Sequence, residues 1–187
     1  MDLFRVFNWD GRSQGEAPRG PFCIARDRQG AGRHDIPERD GALYGSVNPV
    51  SAVAEAIQMF RNQILEEGDF ERENGLVQAL AHFRLAPGLH LVDLNDPVVL
   101  KEMQVRPSEI ATLERPRTQA ICRRLHEKGV AGFTWWSTLE ASWVNATLFQ
   151  SRIRRKLKLA GKIIPLTIEL KEVREAARWL KIRLKKD

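Results

Sequence analysis

The chain has 187 residues, of which 43% are hydrophobic and 29% charged, and it carries a net charge of +6. That length suits one domain with a substantial core, and no run approaches the roughly 18 apolar residues a membrane-spanning helix needs. A spanning protein is excluded; with acidic Asp2 and no basic-then-apolar segment behind it, no secretory signal is expected and the default location is cytoplasmic.

Residues 2–7, DLFRVF, have the length and aromatic content of a first strand. From Asn8 to about Asp40 the chain is polar and punctuated by Gly11, Gly15, Pro18, Gly20, Pro21, Gly30, Gly32 and Pro37, which predicts a long loop with at most a short strand near residues 22–25. Such a loop inside a compact domain is usually functional. GALYGSV (41–47) reads as a buried strand. It runs into a helix marked by Asn48 as N-cap and Pro49 at the first helical position, with the periodic run VSAVAEAIQMFRNQIL behind it. Val50, Val53, Ala54, Ile57 and Ile64 form its apolar face. On the other side, Ala52, Ala56 and Met59 surround a single acid, Glu55.

LHLVDL (89–94) reads as a strand, NDPVVLKEM as a short helix capped by Asn95 or Asp96, and PRTQAICRRLHEKG as a helix ending at Gly129. VAGFTWW (130–136) is a strand that breaks into Ser137 and Thr138. ASWVNATLFQSRI has helical spacing through Val144, Leu148 and Phe149. IIPLTIEL reads as a strand in which Pro165 indicates an edge or bulge. KEVREAARWLKIRLKK is a final helix with Val173, Ala176, Ala177, Leu180 and Leu184 on one stripe. There is no internal repeat. The mixture of strands and helices indicates an α/β or α+β domain.

The basic balance is localised. Residues 151–187 hold thirteen Lys and Arg against four Asp and Glu, which leaves seventeen of the 30 basic and twenty of the 24 acidic residues to a slightly acidic body. On an amphipathic helix such cations are most often a solvated face, and Trp179 is the tail's one aromatic, so a nucleic-acid-binding role for the tail is the weaker alternative. Cys23 and Cys122 lie far apart without paired spacing, and His34, His82, His90 and His126 are scattered. Neither a disulfide framework nor a metal site is expected.

Four positions are candidates for chemistry. Arg33 ends the glycine-rich loop, Tyr44 is the chain's single tyrosine, Glu55 is a lone carboxylate among small apolar residues, and Ser137 ends an apolar strand behind two tryptophans. Each has an ordinary explanation: a solvated arginine, a core tyrosine, a surface glutamate, a serine that caps the next segment. A helical carboxylate with apolar flanks is costly unless paired or used. Ser137 has no G-x-S-x-G elbow to make it a nucleophile.

The stretch AGRHDIPERDGALYGSVNPVSAVAEAIQMF resembles the amino-terminal core of RES domains, and GVAGFTWWSTLEASWVNATLF resembles their serine segment followed by a short helix. Arg33, Tyr44 eleven residues on, Glu55 eleven further and Ser137 downstream match the family's order, and LFRV is similar to its opening strand. The family often has an aromatic and an Asn after the motif arginine, where this chain has His34 and Asp35, and its serine commonly lies in a less tryptophan-rich context.

The resemblance covers most of residues 3–150, leaving a basic strand and helix over 151–187. It implies a single α+β domain with a mixed, mainly antiparallel sheet similar to that of ADP-ribosyltransferases, flanked by helices. It also implies an enzyme that degrades NAD by phosphorolysis or hydrolysis, as the toxin of a toxin–antitoxin pair, with a proteinaceous antitoxin covering the cleft. Arg33, Tyr44, Glu55 and Ser137 would be catalytic; Arg33, Tyr44, Ser137 and, more weakly, Arg5 would bind NAD. NAD would be substrate, with phosphate as an optional co-substrate, and no cofactor or metal is called for. Transfer of ADP-ribose to a macromolecule is the alternative within the fold. The oligomeric state, a homo-oligomer included, stays open.

Overall fold

The computed structural model describes residues 1–72 and 74–185. The chain is α+β, with a mixed and mainly antiparallel sheet arrangement. In chain order the elements are β1 (Asp2–Trp9), β2 (Ala42–Ser46), α1 (Pro49–Ile57), β3 (Ile64–Leu65), β4 (Val77–Leu85), β5 (Leu91–Asp93), α2 (Pro97–Glu102), α3 (Pro107–Ala111), α4 (Arg115–Glu127), β6 (Gly132–Trp136), β7 (Val144–Phe149), α5 (Gln150–Ile153), β8 (Leu157–Leu159), β9 (Ile164–Pro165), α6 (Lys171–Leu180) and β10 (Arg183–Leu184). They divide into two compact units, each assembled from separate stretches. The first comprises Met1, Ile24–Tyr44 and Leu85–Leu157; the second comprises Asp2–Cys23, Gly45–Arg84 and Lys158–Asp187.

In the first unit the strand order is β5-β6-β7-β2. β5 runs parallel to β6, with Asp93 opposite Thr134, and β6 is antiparallel to β7, with Gly132 opposite Leu148. Leu100, Ile110, Ile121, Leu125, Phe133 and Phe149 form much of the core that α2 to α4 bury with these strands. The capping expected from sequence is present. Asp96 Oδ1 accepts from the Val98 N–H at 2.8 Å, and α4 stops before Gly129, whose φ of 80° is in the left-handed region that glycine adopts without strain.

The second unit orders its strands β2-β1-β4-β8, with β9 added to β4. β1 and β4 pair antiparallel along their whole length, from Asp2 opposite Arg84 to Trp9 opposite Val77. α1 lies against α6 and β1. Asn48 Oδ1 accepts from the Val50 N–H at 2.8 Å, and Pro49 opens the helix. Val53, Ala54 and Ile57 on α1, and Val173, Ala176, Ala177 and Leu180 on α6, are buried. Each of the larger aliphatic side chains contributes about 1.5–3 kcal/mol by leaving water.

The structure corrects several readings. ASWVNATLFQSRI is strand β7 followed by the single turn α5, not a helix, because residues four apart share a face in a strand as well as in a helix. Asn145 and Thr147 alternate with Val144, Ala146 and Leu148 at the strand period, and residues 145–149 are all buried. α1 ends at Ile57: the backbone tightens into a 3-10 turn at Gln58–Phe60, and Asn62 adopts φ 68°. Ile64 is therefore off the helix face and half exposed in β3, opposite Arg183, and Met59 is exposed.

IIPLTIEL contributes only the short β9, paired on β4, so Pro165 sits where no second ladder partner is needed. No strand forms at residues 22–25. The last helix stops when Lys181 turns left-handed (φ 59°), which puts Leu184 in β10; the reading of that helix through Lys186 runs outside the described residues. β4, α3 and β8 are elements that periodicity passes over.

Candidate active site

In the first unit the glycine-rich loop is held by its own side chains. The Gln29 amide donates to the Ala42 carbonyl at 2.6 Å and accepts from the Ala42 N–H at 2.9 Å, so it acts as a strand partner for β2. Asp35, 5% exposed, receives N–H donors from Gly30 (2.8 Å) and Gly32 (2.7 Å) on one carboxylate oxygen. A Cβ at position 32 would lie 2.6 Å from that carboxylate, and Gly30 has φ 139°, so both glycines are structural requirements of this turn. The other carboxylate oxygen accepts from the Tyr44 hydroxyl at 2.6 Å.

Tyr44, half-buried on β2, also accepts from the His34 backbone N–H at 3.0 Å. Burial, reinforced by the bond to Asp35, pushes its pKa up, so the phenol stays protonated at neutral pH. Tyr44 can bind and orient; it is not a base.

Arg33 is 8% exposed, and its Nη1 donates to the carbonyls of Ile110 (3.0 Å) and Thr112 (2.6 Å). Its guanidinium carbon lies 5.5 Å from the centre of the Trp135 ring. The Thr118 hydroxyl donates to the Arg33 carbonyl. The end of α3 and the Trp135 ring thus hold the guanidinium, and Thr118 on α4 holds the Arg33 backbone. His34, 1% exposed, meets the Thr147 hydroxyl at 2.9 Å and packs edge-on against Phe133 and Trp135. Burial, with the charges of Arg33 and Arg115, holds its pKa well below the ordinary imidazole value, so His34 is neutral. The Cys122 thiol donates to the His34 carbonyl at 3.1 Å, and burial raises its pKa, which keeps it protonated.

Ser137 follows β6 in the same unit and is 1% exposed. Its N–H donates to the Trp143 carbonyl at 2.7 Å, and its hydroxyl oxygen accepts from the Leu139 N–H at 3.1 Å, a serine turn that closes the segment between β6 and β7.

Glu55 and Arg5 belong to the second unit. Glu55 is half-buried on α1 and accepts from the Gln58 amide at 3.1 Å, so the acid has a polar neighbour that the apolar reading of this helix omits. Arg5 on β1 donates to the Pro21 carbonyl at 3.0 Å, and burial lowers its pKa to about 10, which leaves it charged at neutral pH. Among the described residues no group of three His, Cys, Asp or Glu is placed to hold a metal ion, and no helix is long and apolar enough to cross a membrane.

Arg33 and Tyr44 are therefore brought together through their loop neighbours, with Ser137 in the same unit. Sequence reasoning missed His34 and Asp35 as members of this network. Their partners Thr118, Cys122 and Thr147 lie far along the chain; the only local signal is two polar residues directly behind the motif arginine.

A family model described as RES domain matches residues 3–168. No curated protein matches the sequence. Among solved structures, the fold is similar to a chain of the crystal structure of the M. tuberculosis MbcT-MbcA toxin-antitoxin complex. That likeness has a TM-score of 0.64 at 15% identity, and covers 97% of this chain and 88% of that one.

Proposed function

The chain belongs to the RES domain family, and on that premise we propose that it is an NAD-degrading enzyme, the toxin of a toxin–antitoxin pair acting in the cytoplasm. The observation that carries this reading is the extent of the family match, residues 3–168, which takes in Arg5, Arg33, Tyr44, Glu55 and Ser137. The likeness to a chain of the M. tuberculosis toxin-antitoxin complex supports a proteinaceous antitoxin as the partner.

In the proposed reaction the bond between the nicotinamide nitrogen and C1 of its ribose breaks, and the electron pair leaves with nicotinamide. The oxygen of phosphate or water bonds to C1 and a proton is released. The sugar passes through an oxocarbenium-like, cationic transition state, which a carboxylate stabilises. Glu55 takes that role by accepting a ribose hydroxyl. Arg33 supplies a guanidinium for the phosphate oxygens of the dinucleotide or of an incoming phosphate. The protonated Tyr44 positions the nicotinamide end, Ser137 orients the amide or a phosphate, and Arg5 adds a charge for binding. NAD is consumed as substrate, and no resident cofactor takes part.

The test is purified protein incubated with NAD in buffer with and without phosphate, with products identified by mass. Nicotinamide together with ADP-ribose phosphate indicates phosphorolysis, nicotinamide with free ADP-ribose indicates hydrolysis, and label retained on protein or nucleic acid indicates transfer to a macromolecule. NAD unchanged in both buffers overturns the reading.

A further inference from the structure

The hydrogen bonds around Tyr44 can be counted. A phenol has one proton to donate and lone pairs that accept. The proton of Tyr44 is committed to Asp35 at 2.6 Å, and the His34 N–H fills one acceptor position at 3.0 Å. The second oxygen of Asp35 is held by the Gly30 and Gly32 N–H groups, so Asp35 meets all three partners as an acceptor. What Tyr44 has left to offer a ligand is acceptor capacity alone.

We propose that Asp35 is a positioning residue that makes the Tyr44 hydroxyl a hydrogen-bond acceptor toward the substrate, and so selects a nicotinamide carboxamide, whose NH2 donates, over the corresponding carboxylate. This rests on the reading of Tyr44 as a substrate-binding residue of an NAD-degrading enzyme. A carboxylate meeting an acceptor-only hydroxyl would set two lone pairs against each other, and a site built for a donor rejects an analogue that lacks it.

The test compares kcat/KM for NAD and for its deamidated analogue, nicotinic acid adenine dinucleotide, in the wild-type chain and in Asp35→Asn. An asparagine oxygen can still accept from Gly30 and Gly32 while its amide donates to Tyr44, which releases the phenol proton toward the substrate. The wild type should prefer NAD by about 10²-fold, and Asp35→Asn should reduce that preference at least tenfold. A purely structural role for Asp35 would lower both rates together and leave the ratio alone. Tyr44→Phe gives a second route if Asp35→Asn is inactive: without the hydroxyl the preference should vanish, and its retention overturns the proposal. Equal use of both dinucleotides by the wild type, or an unchanged ratio in Asp35→Asn, also overturns it while the NAD reading stands. Failure of the wild type to consume either removes that reading and this proposal with it.

Discussion

Loop 30–35 and helix α1 each carry a charged candidate residue, Arg33 and Glu55, and they hold them in opposite ways. Arg33, His34 and Asp35 are nearly buried, and their polar groups are satisfied by residues distant in sequence, Ile110, Thr112, Thr118, Cys122 and Thr147 among them. Glu55 is half-buried, its amide partner Gln58 is three residues away, and the helix beneath it is secured by Val53, Ala54 and Ile57 on another face. In the loop, chemistry and stability share the same bonds. On the helix they are separable, so changes at Glu55 report on chemistry more cleanly than changes at Arg33.

The sharpest way to break that comparison is Glu55→Gln. It should lower NAD turnover by about 10²-fold or more and leave the melting temperature nearly unchanged, read by nicotinamide release and a thermal melt of the same preparation. A large loss of stability would show that α1 depends on the carboxylate after all. Asp35→Ala should cost stability directly. It strips the acceptor from Gly30, Gly32 and Tyr44 at once, at a cost of about 3 kcal/mol or more in urea unfolding; a change below about 0.5 kcal/mol would mean the loop is not braced there.

His34 sharpens the same point through pH. Its folded pKa lies well below the ordinary 6.5, so below that value the unfolded chain binds a proton that the folded chain refuses. Its contribution is therefore present above about pH 6.5 and lost as pH falls, at up to about 1.4 kcal/mol per pH unit. Unfolding curves at pH 7.5 and 5.5 should show this slope, and His34→Gln should flatten it. The smallest effect is expected at the end of α6, where Arg178 and the following Lys181 are exposed. Replacing both by alanine should change stability by less than about 0.5 kcal/mol and leave NAD turnover intact. A steep, salt-dependent nucleic-acid affinity lost in that double variant would instead revive a binding role for the basic segment.

Local signals are readable from sequence where one residue type answers one local need: Asn48 and Pro49 start α1, Gly129 ends α4, and FTWW makes β6. β7 misleads because Val144 and Leu148, four apart, satisfy both periodicities, although Asn145 and Thr147 between them carry the strand alternation. β4 does alternate, with Val77, Ala79, Ala81, Phe83 and Leu85 on one face and Gln78, His82 and Arg84 on the other, and the buried Leu80 on the polar face blurs that period. Residue order exposes the candidates Arg33, Tyr44, Glu55 and Ser137. The commitment of Asp35 to Tyr44, and of His34 to Thr147 across more than a hundred residues, is a property of the folded chain, and no local pattern encodes it.

The most direct test of the central claim is the release of nicotinamide from NAD by purified wild-type chain. One nicotinamide should form for each NAD lost, with ADP-ribose or its phosphate as the other product. NAD left intact by protein that is folded by its thermal melt would contradict it.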